Sequence, residues 1–321
     1  MLLIGILALL ILCILLITYY CYKRCFYAKP GSTRDPYVPL IGRQYQDVEE
    51  EIYACTKRMD VEAYESVSIT SFDGLNLTGR YYHVKDGAPI KLLFHGYRSM
   101  LLRDCGGGYY LSKKMGMNIL AVDQRAHGYS DGHTISFGIN ERRDCLSWVK
   151  YINQRFGENV PIVLSGLSMG AATVLMATSL PLPENVVCVV ADSAYESPAQ
   201  IIRKVCADEK LPVAVSYPFV HLSAWLYGGF RLEESSAIAS VAHSKIPILL
   251  IHGEDDRLVP VQMSQHLYDA ARGTATLETF PNAGHGLCYM ADPPRYEKII
   301  YQFLKNQPAL KDHLLDPTIS I

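Results

Sequence analysis

The sequence predicts an α/β protein, with a mainly parallel sheet covered by helices on both faces. Three observations lead to this fold class. After Gly87, short apolar runs alternate with helical stretches, which is typical of parallel strands joined by helices. Before that point, an Asp73-Gly74 turn separates two strand-like stretches, 65–71 and 77–83, and predicts an antiparallel hairpin at one edge. The segment 161–172 reads as a buried strand, a sharp turn and a helix.

The other elements follow from hydrophobic periodicity and length. Parallel strands are expected at 90–94, 118–122, 162–165, 186–191, 246–251 and 275–279. Helices are expected at 103–115, 139–156, 169–180, 261–272 and 293–306, and an amphipathic helix at 44–59 precedes the hairpin.

Composition excludes some functions. Charged residues make up 19% of the 321-residue chain and the formal net charge is −2, whereas a nucleic-acid-binding protein normally carries a basic excess. The nine cysteines are scattered, without metal-ligand spacing or a disulfide framework. This pattern favours a reducing compartment for the folded part.

The N-terminal segment, residues 1–28, predicts a membrane anchor followed by a short juxtamembrane stretch. Residues 2–20 carry no charge, and as a helix they would span about 28 Å, close to the hydrocarbon thickness of a bilayer. A cleaved signal peptide is the alternative, but no basic region precedes the run and no small-residue cleavage site follows it. Lys23 and Arg24 follow the span, so we expect a single-pass protein whose remaining chain lies in the cytoplasm.

The rest of the chain divides into three parts. Residues 29–61 are expected to form a Pro- and Gly-containing linker and the amphipathic helix. Residues 62–306 form the main domain, and 307–321 a C-terminal tail. The alternation of strands and helices is interrupted at about 193–245, an interval too long and too aromatic for a simple connection, which predicts a small helical cap. Its aromatic side chains either line a substrate pocket or pack among themselves: Tyr217, Phe219, Trp225 and Tyr227.

Catalytic chemistry is indicated by Gly166-Leu167-Ser168-Met169-Gly170. This spacing has the pattern of a nucleophile elbow, in which a serine occupies a strained strand-to-helix turn and glycines allow strand and helix to approach closely. Five residues alone are a weak signal, so Ser168 needs partners elsewhere in the chain.

Suitable partners follow two later strands. His285 comes after the last predicted strand, and Asp255 and Asp256 follow the strand before it, giving the chain order serine, acid, histidine. Asp192 also ends a strand and stays open as the acid. Because catalytic groups gather at the carboxyl edge of a parallel sheet, we expect a Ser-His-Asp triad there.

An acyl transfer also needs donors for the oxyanion. The backbone N–H of Met169, directly after the serine, is one candidate. The backbone N–H of Tyr97 is the other, because His95-Gly96 ends an early strand and the glycine allows the loop to turn toward the site.

These stretches resemble the α/β-hydrolase superfamily, in particular its cap-bearing branch of monoacylglycerol-lipase-like and serine-aminopeptidase-like enzymes. The resemblance covers about residues 62–306 and rests on the following motifs: His95-Gly96, the run from Asp123 to Ser130, the elbow, His252-Gly253 through Val259-Pro260, and Gly284-His285. It implies a mainly parallel eight-stranded sheet, Asp256 rather than Asp255 as the triad acid, and no metal or organic cofactor. It also implies hydrolysis of an acyl ester, thioester or amide.

From these residues we expect a membrane-anchored serine hydrolase that cleaves carboxylic esters with an apolar acyl group, either small molecules or lipids. A serine aminopeptidase, in which Glu233 or Glu234 would hold a free amine, and an acyl-thioesterase share the same triad. A catalytically idle membrane scaffold is the reading without an enzyme activity.

Overall fold

The computed structural model describes residues 1–39 and 42–317. Positions 40–41 of the predicted linker and 318–321 of the predicted tail lie outside the described residues. The fold is α/β, as predicted from the alternation of apolar runs and helices, with an eight-stranded sheet at its centre.

The strands follow one another in chain order as β1 to β8. Their bounds are Glu65–Thr70, Asn76–Tyr82, Ile90–Phe94, Asn118–Val122, Ile162–Leu167, Val186–Asp192, Ile248–Gly253 and Ala275–Phe280. The spatial order is β1-β2-β4-β3-β5-β6-β7-β8. Strand β2 runs antiparallel to β1 and β4, and the pairs from β4 to β8 are parallel. The residues that follow β3, β5, β6, β7 and β8 therefore lie at the same edge of the sheet.

The helices are numbered α1 to α12 in chain order, and a 3₁₀ turn at Arg43–Tyr45 precedes α2. Their bounds are Leu2–Cys25, Glu49–Asp60, Leu101–Asp104, Gly106–Lys114, Glu141–Phe156, Met169–Ala177, Pro198–Asp208, Val213–Gly228, Ala237–Val241, Val261–Ala270, Cys288–Ala291 and Pro293–Lys305. Two predicted helices are interrupted in the structure. The stretch 44–59 is a 3₁₀ turn followed by α2, and 103–115 is the pair α3 and α4.

Helices cover both faces of the sheet. Helices α5, α6 and α10 bury apolar side chains on one face, where Trp148 is 1% exposed. Helices α4 and α12 bury theirs on the opposite face, which also receives Leu310 and Leu314 from the segment expected to be a tail. Strands β3, β4 and β7 are buried along their whole length, as expected for parallel strands between two helical layers.

The interval predicted to be a cap contains α7, α8 and α9. Helices α7 and α8 form a separate cluster through Ile202, Cys206, Val220 and Ala224, although Ile201 of α7 belongs to the main core. Ala237 and Val241 of α9 belong to that core, because α9 packs against α6 and α10. The cap is consequently smaller than the 193–245 interval.

Helix α1 begins in the predicted anchor and ends in the folded domain. Residues 1–17 are exposed, whereas Thr18, Tyr22 and Phe26 are buried against the cap. Beyond the helix, Ala28 N–H donates to the carbonyl of His133, and Ile135 N–H donates to that of Phe26. The end of the apolar helix is thus attached to the domain by both packing and backbone hydrogen bonds.

Candidate active site

Ser168 occupies a strained turn between β5 and α6. Its φ of 54° and ψ of −113° are unusual for a residue with a side chain and fit the expected nucleophile elbow. The flanking glycines make the turn possible. A Cβ on Gly166 would lie 2.2 Å from the carbonyl carbon of Gly170, and a Cβ on Gly170 would lie 2.2 Å from the carbonyl oxygen of Phe94.

The structure brings Ser168, His285 and Asp256 together. The Nε2 atom of His285 lies 2.9 Å from the Ser168 Oγ, and its Nδ1 atom lies 2.6 Å from Asp256 Oδ2. Asp256 and His285 are buried, 6% and 7% exposed. The geometry has the contacts that a nucleophile, a general base and an orienting acid require.

The carboxylate of Asp256 is held by further hydrogen bonds. Its Oδ1 accepts from the backbone N–H groups of Leu258 and Val259, at 2.9 and 2.8 Å. The buried His252 Nε2 lies 3.2 Å from Oδ2. Burial opposes ionisation of Asp256, but the hydrogen bonds from His252 and His285 outweigh it and lower its pKa well below the usual value. Asp256 is therefore a carboxylate at neutral pH.

The two alternative acids are placed differently. Asp255 is exposed, and its backbone N–H donates to the carbonyl of Ala283. The Asp192 carboxylate accepts from Ser193 Oγ at 2.9 Å and Tyr296 Oη at 3.0 Å, and burial raises its pKa. Neither carboxylate contacts the His285 ring within hydrogen-bond distance.

The loop after β3 carries the Tyr97 N–H and is fixed from several sides. Asp104 accepts from the Gly96 N–H at 2.7 Å and from Ser99 Oγ at 2.6 Å. The Arg98 N–H donates to His127 Nε2 at 3.0 Å. Burial lowers the pKa of His127 to about 3, so this ring is neutral and can accept.

The backbone N–H groups of Tyr97 and Met169 have no partner among the hydrogen bonds between described residues. Met169 directly follows Ser168. Tyr97 follows Gly96, and a Cβ built on Gly96 would lie 3.5 Å from the Ser168 Cβ, so the Tyr97 loop is also close to the serine. Two unpaired donors beside a serine are what an oxyanion hole requires.

Sequence reasoning missed two residues that hold the histidine loop. Gln44 Oε1 accepts from the His285 N–H at 3.2 Å, and the Tyr45 hydroxyl donates to the His285 carbonyl at 3.2 Å. Both lie in the 3₁₀ turn after the predicted linker, 240 residues from His285 along the chain. No local sequence signal points to so distant a contact.

A cavity of about 480 Å³ lies at the site. Ser168 and His285 line it, together with the loop after β3, α2, α3 and the start of α4. Residues 32–39, expected to be a free linker, supply part of its wall: Ser32, Thr33, Asp35, Val38 and Pro39. The segment after α1 thus lines the same cavity as Ser168 and His285.

The four cap aromatics expected at the substrate lie elsewhere. In the part of the chain that the structure describes, none of residues 193–245 lines the cavity. Tyr227 contacts α1, Tyr217 donates to Glu233, Phe219 is partly exposed and Trp225 is 52% exposed. The expectation is corrected, because α8 packs against α1 and its other side faces outward.

Comparisons with known proteins agree with this fold and site. A sequence profile of the prolyl oligopeptidase family matches residues 109–310. The esterase Pf2001 of Pyrococcus furiosus superposes with a TM-score of 0.64 and 25% identity, over 88% of this chain and 98% of that one. Uncharacterized protein YqkD of Bacillus subtilis is 28% identical over 76% of this chain and 82% of its own length. Lysophosphatidylserine lipase ABHD12 of Danio rerio is 30% identical over 65% of this chain and 52% of its own length.

The fold and these comparisons together define an α/β hydrolase of the esterase and lipase type, a serine hydrolase acting on ester bonds. Within that class the chain belongs to the prolyl oligopeptidase family. The predicted resemblance to the α/β-hydrolase superfamily is confirmed.

Proposed function

We propose that this protein is a membrane-anchored carboxylic ester hydrolase that works through Ser168, His285 and Asp256. The hydrogen-bond chain from Ser168 Oγ through His285 to Asp256, at the cavity wall, carries this proposal. The Oγ attacks the acyl carbonyl while His285 Nε2 takes its proton. The same histidine returns the proton to the leaving alcohol, and an acyl-enzyme remains on Ser168.

Water completes the reaction. His285 Nε2 takes a proton from the attacking water and returns it to Ser168 Oγ as the acid product leaves. Asp256 keeps the imidazole in the tautomer with the proton on Nδ1, since its Oδ2 accepts at 2.6 Å. The N–H groups of Tyr97 and Met169 stabilise the oxyanion in both steps.

An apolar acyl group fits the site best. The cavity volume of about 480 Å³ is within the range of small-molecule sites, and most of its wall between the polar catalytic groups is apolar. One relative is named a lysophosphatidylserine lipase, which supports a lipid ester among the substrates.

Anchoring by α1 is part of the proposal. Its first 16 residues project from the domain with apolar side chains exposed, a surface that water would not stabilise. Removal as a signal peptide would cut into the fold, because Tyr22 and Phe26 are 5% and 0% exposed in the cap core. The buried end of α1 therefore argues that the helix is retained. Lys23 and Arg24 at its C-terminal end favour a cytoplasmic position of the domain.

Ser168→Ala tests the chemistry. We expect the variant to lose turnover of a short-chain aryl ester and labelling by a fluorophosphonate probe. Ser179→Ala is the matched control, because Ser179 is exposed at the end of α6 and bonds only the Met176 carbonyl. Full turnover by Ser168→Ala would refute the mechanism. A folded wild type that no probe labels would favour the idle scaffold instead.

The anchor and its orientation need separate measurements. Full-length protein should stay with membranes after an alkaline carbonate wash, and its first residues should be present in the mature chain. A mature N-terminus after residue 28 would contradict the anchor. External protease on intact cells should leave a cytoplasmic domain whole, and its digestion would reverse the orientation.

Peptide hydrolysis is the second candidate, because the matching family is named for a peptidase. The acidic residues considered as amine ligands give it no support. Glu233 binds Tyr217 and His221, Glu234 lies 3.6 Å from Arg142, and neither lines the cavity. Rates on aminoacyl anilides, thioesters and esters of the same acyl group would separate the three activities.

A further inference from the structure

Helix α8 of the cap has an unusual surface. Its 16 residues, Val213–Gly228, include no Asp, Glu, Lys or Arg. A helix that is apolar all round is normally buried in a protein core or a membrane. Here Val215 is 61% exposed, Trp225 52% and Leu226 40%. The apolar character of this helix is therefore not explained by packing within the domain.

The exposed residues lie on one face. With 3.6 residues per turn, positions 215, 219, 222 and 226 of α8 follow one another along the same side of the helix, with 218 and 225 beside them. This face carries the following exposed or partly exposed side chains: Val215, Pro218, Phe219, Leu222, Trp225 and Leu226. The opposite side is buried against α1 and α7 through Val220 and Ala224.

The C-terminal end of α8 is fixed to the apolar part of α1. The Tyr227 hydroxyl donates to the Leu15 carbonyl at 3.0 Å, and its ring lies 5.4 Å from that of Tyr19. Thr18 of α1 is fully buried at this contact, although its neighbours along the helix are exposed. The contact lies within residues 2–20, the uncharged run.

The position of Tyr227 sets a depth. The uncharged run of α1 ends with the aromatic residues Tyr19 and Tyr20. Leu15 lies five residues before Tyr20, which is about 8 Å along the axis of α1. Amphipathic helices at membrane surfaces bury their apolar face by about 5–10 Å. If α1 spans a bilayer, the end of α8 must enter the same leaflet.

We infer that the exposed face of α8, from Val215 to Leu226, is a second membrane contact, whose occupant is the headgroup and acyl-chain boundary of the leaflet that α1 enters. The inference rests on the proposed anchoring by α1. Continuity supports it, because α8 packs against α1, its end lies on the uncharged part of α1, and α8 carries no Asp, Glu, Lys or Arg. Lys210 and Arg231, both exposed, flank the helix and can reach the headgroups.

Tryptophan fluorescence tests this contact in the full-length protein. The chain has two tryptophans, Trp148 in the core at 1% exposure and Trp225 on the proposed contact. The protein is reconstituted into phosphatidylcholine vesicles with and without dibrominated acyl chains, which quench indoles that they touch. Trp225→Phe is the control, since only the buried Trp148 then emits.

We expect brominated lipid to remove the Trp225 share of the wild-type emission and to leave the emission of Trp225→Phe unchanged. Equal emission from the wild type in both vesicles, with the protein floating with them, would overturn the contact and leave the anchor standing. Protein that does not float would refute the anchor itself. Trp225 emission that shifts with protein concentration in detergent, and is unaffected by brominated lipid, would assign the face to a second copy of the chain and also overturn the inference.

Discussion

The Tyr97 hydroxyl donates a 2.8 Å hydrogen bond to the backbone carbonyl of Cys25, the last residue of α1. The Arg98 side chain adds bonds to the carbonyls of Arg24 and Tyr27, at 2.9 and 3.1 Å. The last carbonyls of a helix have no partner within it. Two side chains of the proposed oxyanion loop supply these partners, so the loop and the end of α1 position each other.

Tyr97→Phe should lower kcat more than it changes KM. The variant keeps the ring, which packs on Phe137, and the backbone N–H, but loses the bond to Cys25. The loss of one hydrogen bond, with a net contribution of about 1 kcal/mol, predicts roughly a fivefold lower kcat. The loss affects kcat because an oxyanion donor on this loop acts in the transition state. Steady-state kinetics on an aryl ester measure it.

Tyr217→Phe is the matched control for this change. It also removes one tyrosine hydroxyl bond, to Glu233, but lies outside the cavity. An equal loss of kcat in both variants would show that the Tyr97 effect is not specific to the loop.

Asp256→Asn should reduce kcat by about 10³–10⁴-fold. The amide can present an N–H to His285 Nδ1, which favours the tautomer that cannot accept the serine proton on Nε2. Asp255→Asn should stay near wild type, because that side chain is exposed. The reverse result would move the triad acid to Asp255.

Gly170→Ala should unfold the elbow region and abolish activity together. The new Cβ would lie 2.2 Å from the Phe94 carbonyl oxygen and 2.6 Å from that of His95, both backbone atoms that cannot move alone. Gly108→Ala in α4 is the stability control, since its Cβ would meet Leu93 at 3.4 Å. We expect Tm to fall in the first variant and to stay or rise in the second, where alanine favours the helix.

Lys91→Met should stabilise the protein at neutral pH. Lys91 is 1% exposed in β3, and burial lowers its pKa to about 8. In the unfolded chain Lys91 keeps the usual pKa near 10.5. The free energy of unfolding therefore decreases as the pH falls from 10.5 to about 8, and the full loss is present below pH 8. The shift corresponds to about 3 kcal/mol.

Denaturation at several pH values measures this effect. For the wild type, the free energy of unfolding should receive a contribution from Lys91 that rises with pH between about 8 and 10.5, and Lys91→Met should lack it. Lys150→Met is the control, as Lys150 is exposed on α5. A wild type whose pH dependence equals that of Lys91→Met would contradict the prediction.

Local sequence patterns were sufficient to predict the strands of the sheet. Strands such as Ile90–Phe94 and Asn118–Val122 have the predicted bounds, since a short apolar run between turn signals leaves few alternatives. The residues of the proposed triad could be selected because each follows a strand at the same edge. Contacts across long sequence separations were not accessible in this way, and Gln44 with His285 is the clearest case.

The sequence also did not predict which surface the apolar helix α8 contacts. Aromatic content predicted that α8 contacts something apolar, but it does not distinguish an acyl chain from α1, and the structure places Tyr227 against Leu15. Composition likewise suggested a tether at 29–43, because proline and glycine mark irregular backbone. Irregular backbone also forms cavity walls, as Val38 and Pro39 do.

This cavity wall affects how the enzyme must be prepared. A soluble fragment starting at Gln44 would retain Ser168, Asp256 and His285, and even the Gln44 and Tyr45 bonds to the histidine loop. It would lack the strip from Ser32 to Pro39, and the loop after β3 would lose the helix end that Tyr97 and Arg98 bind. Such a fragment would have a wider mouth, and its preference for acyl-chain length would describe a remodelled enzyme. Substrate profiles therefore belong to the intact chain in detergent or lipid.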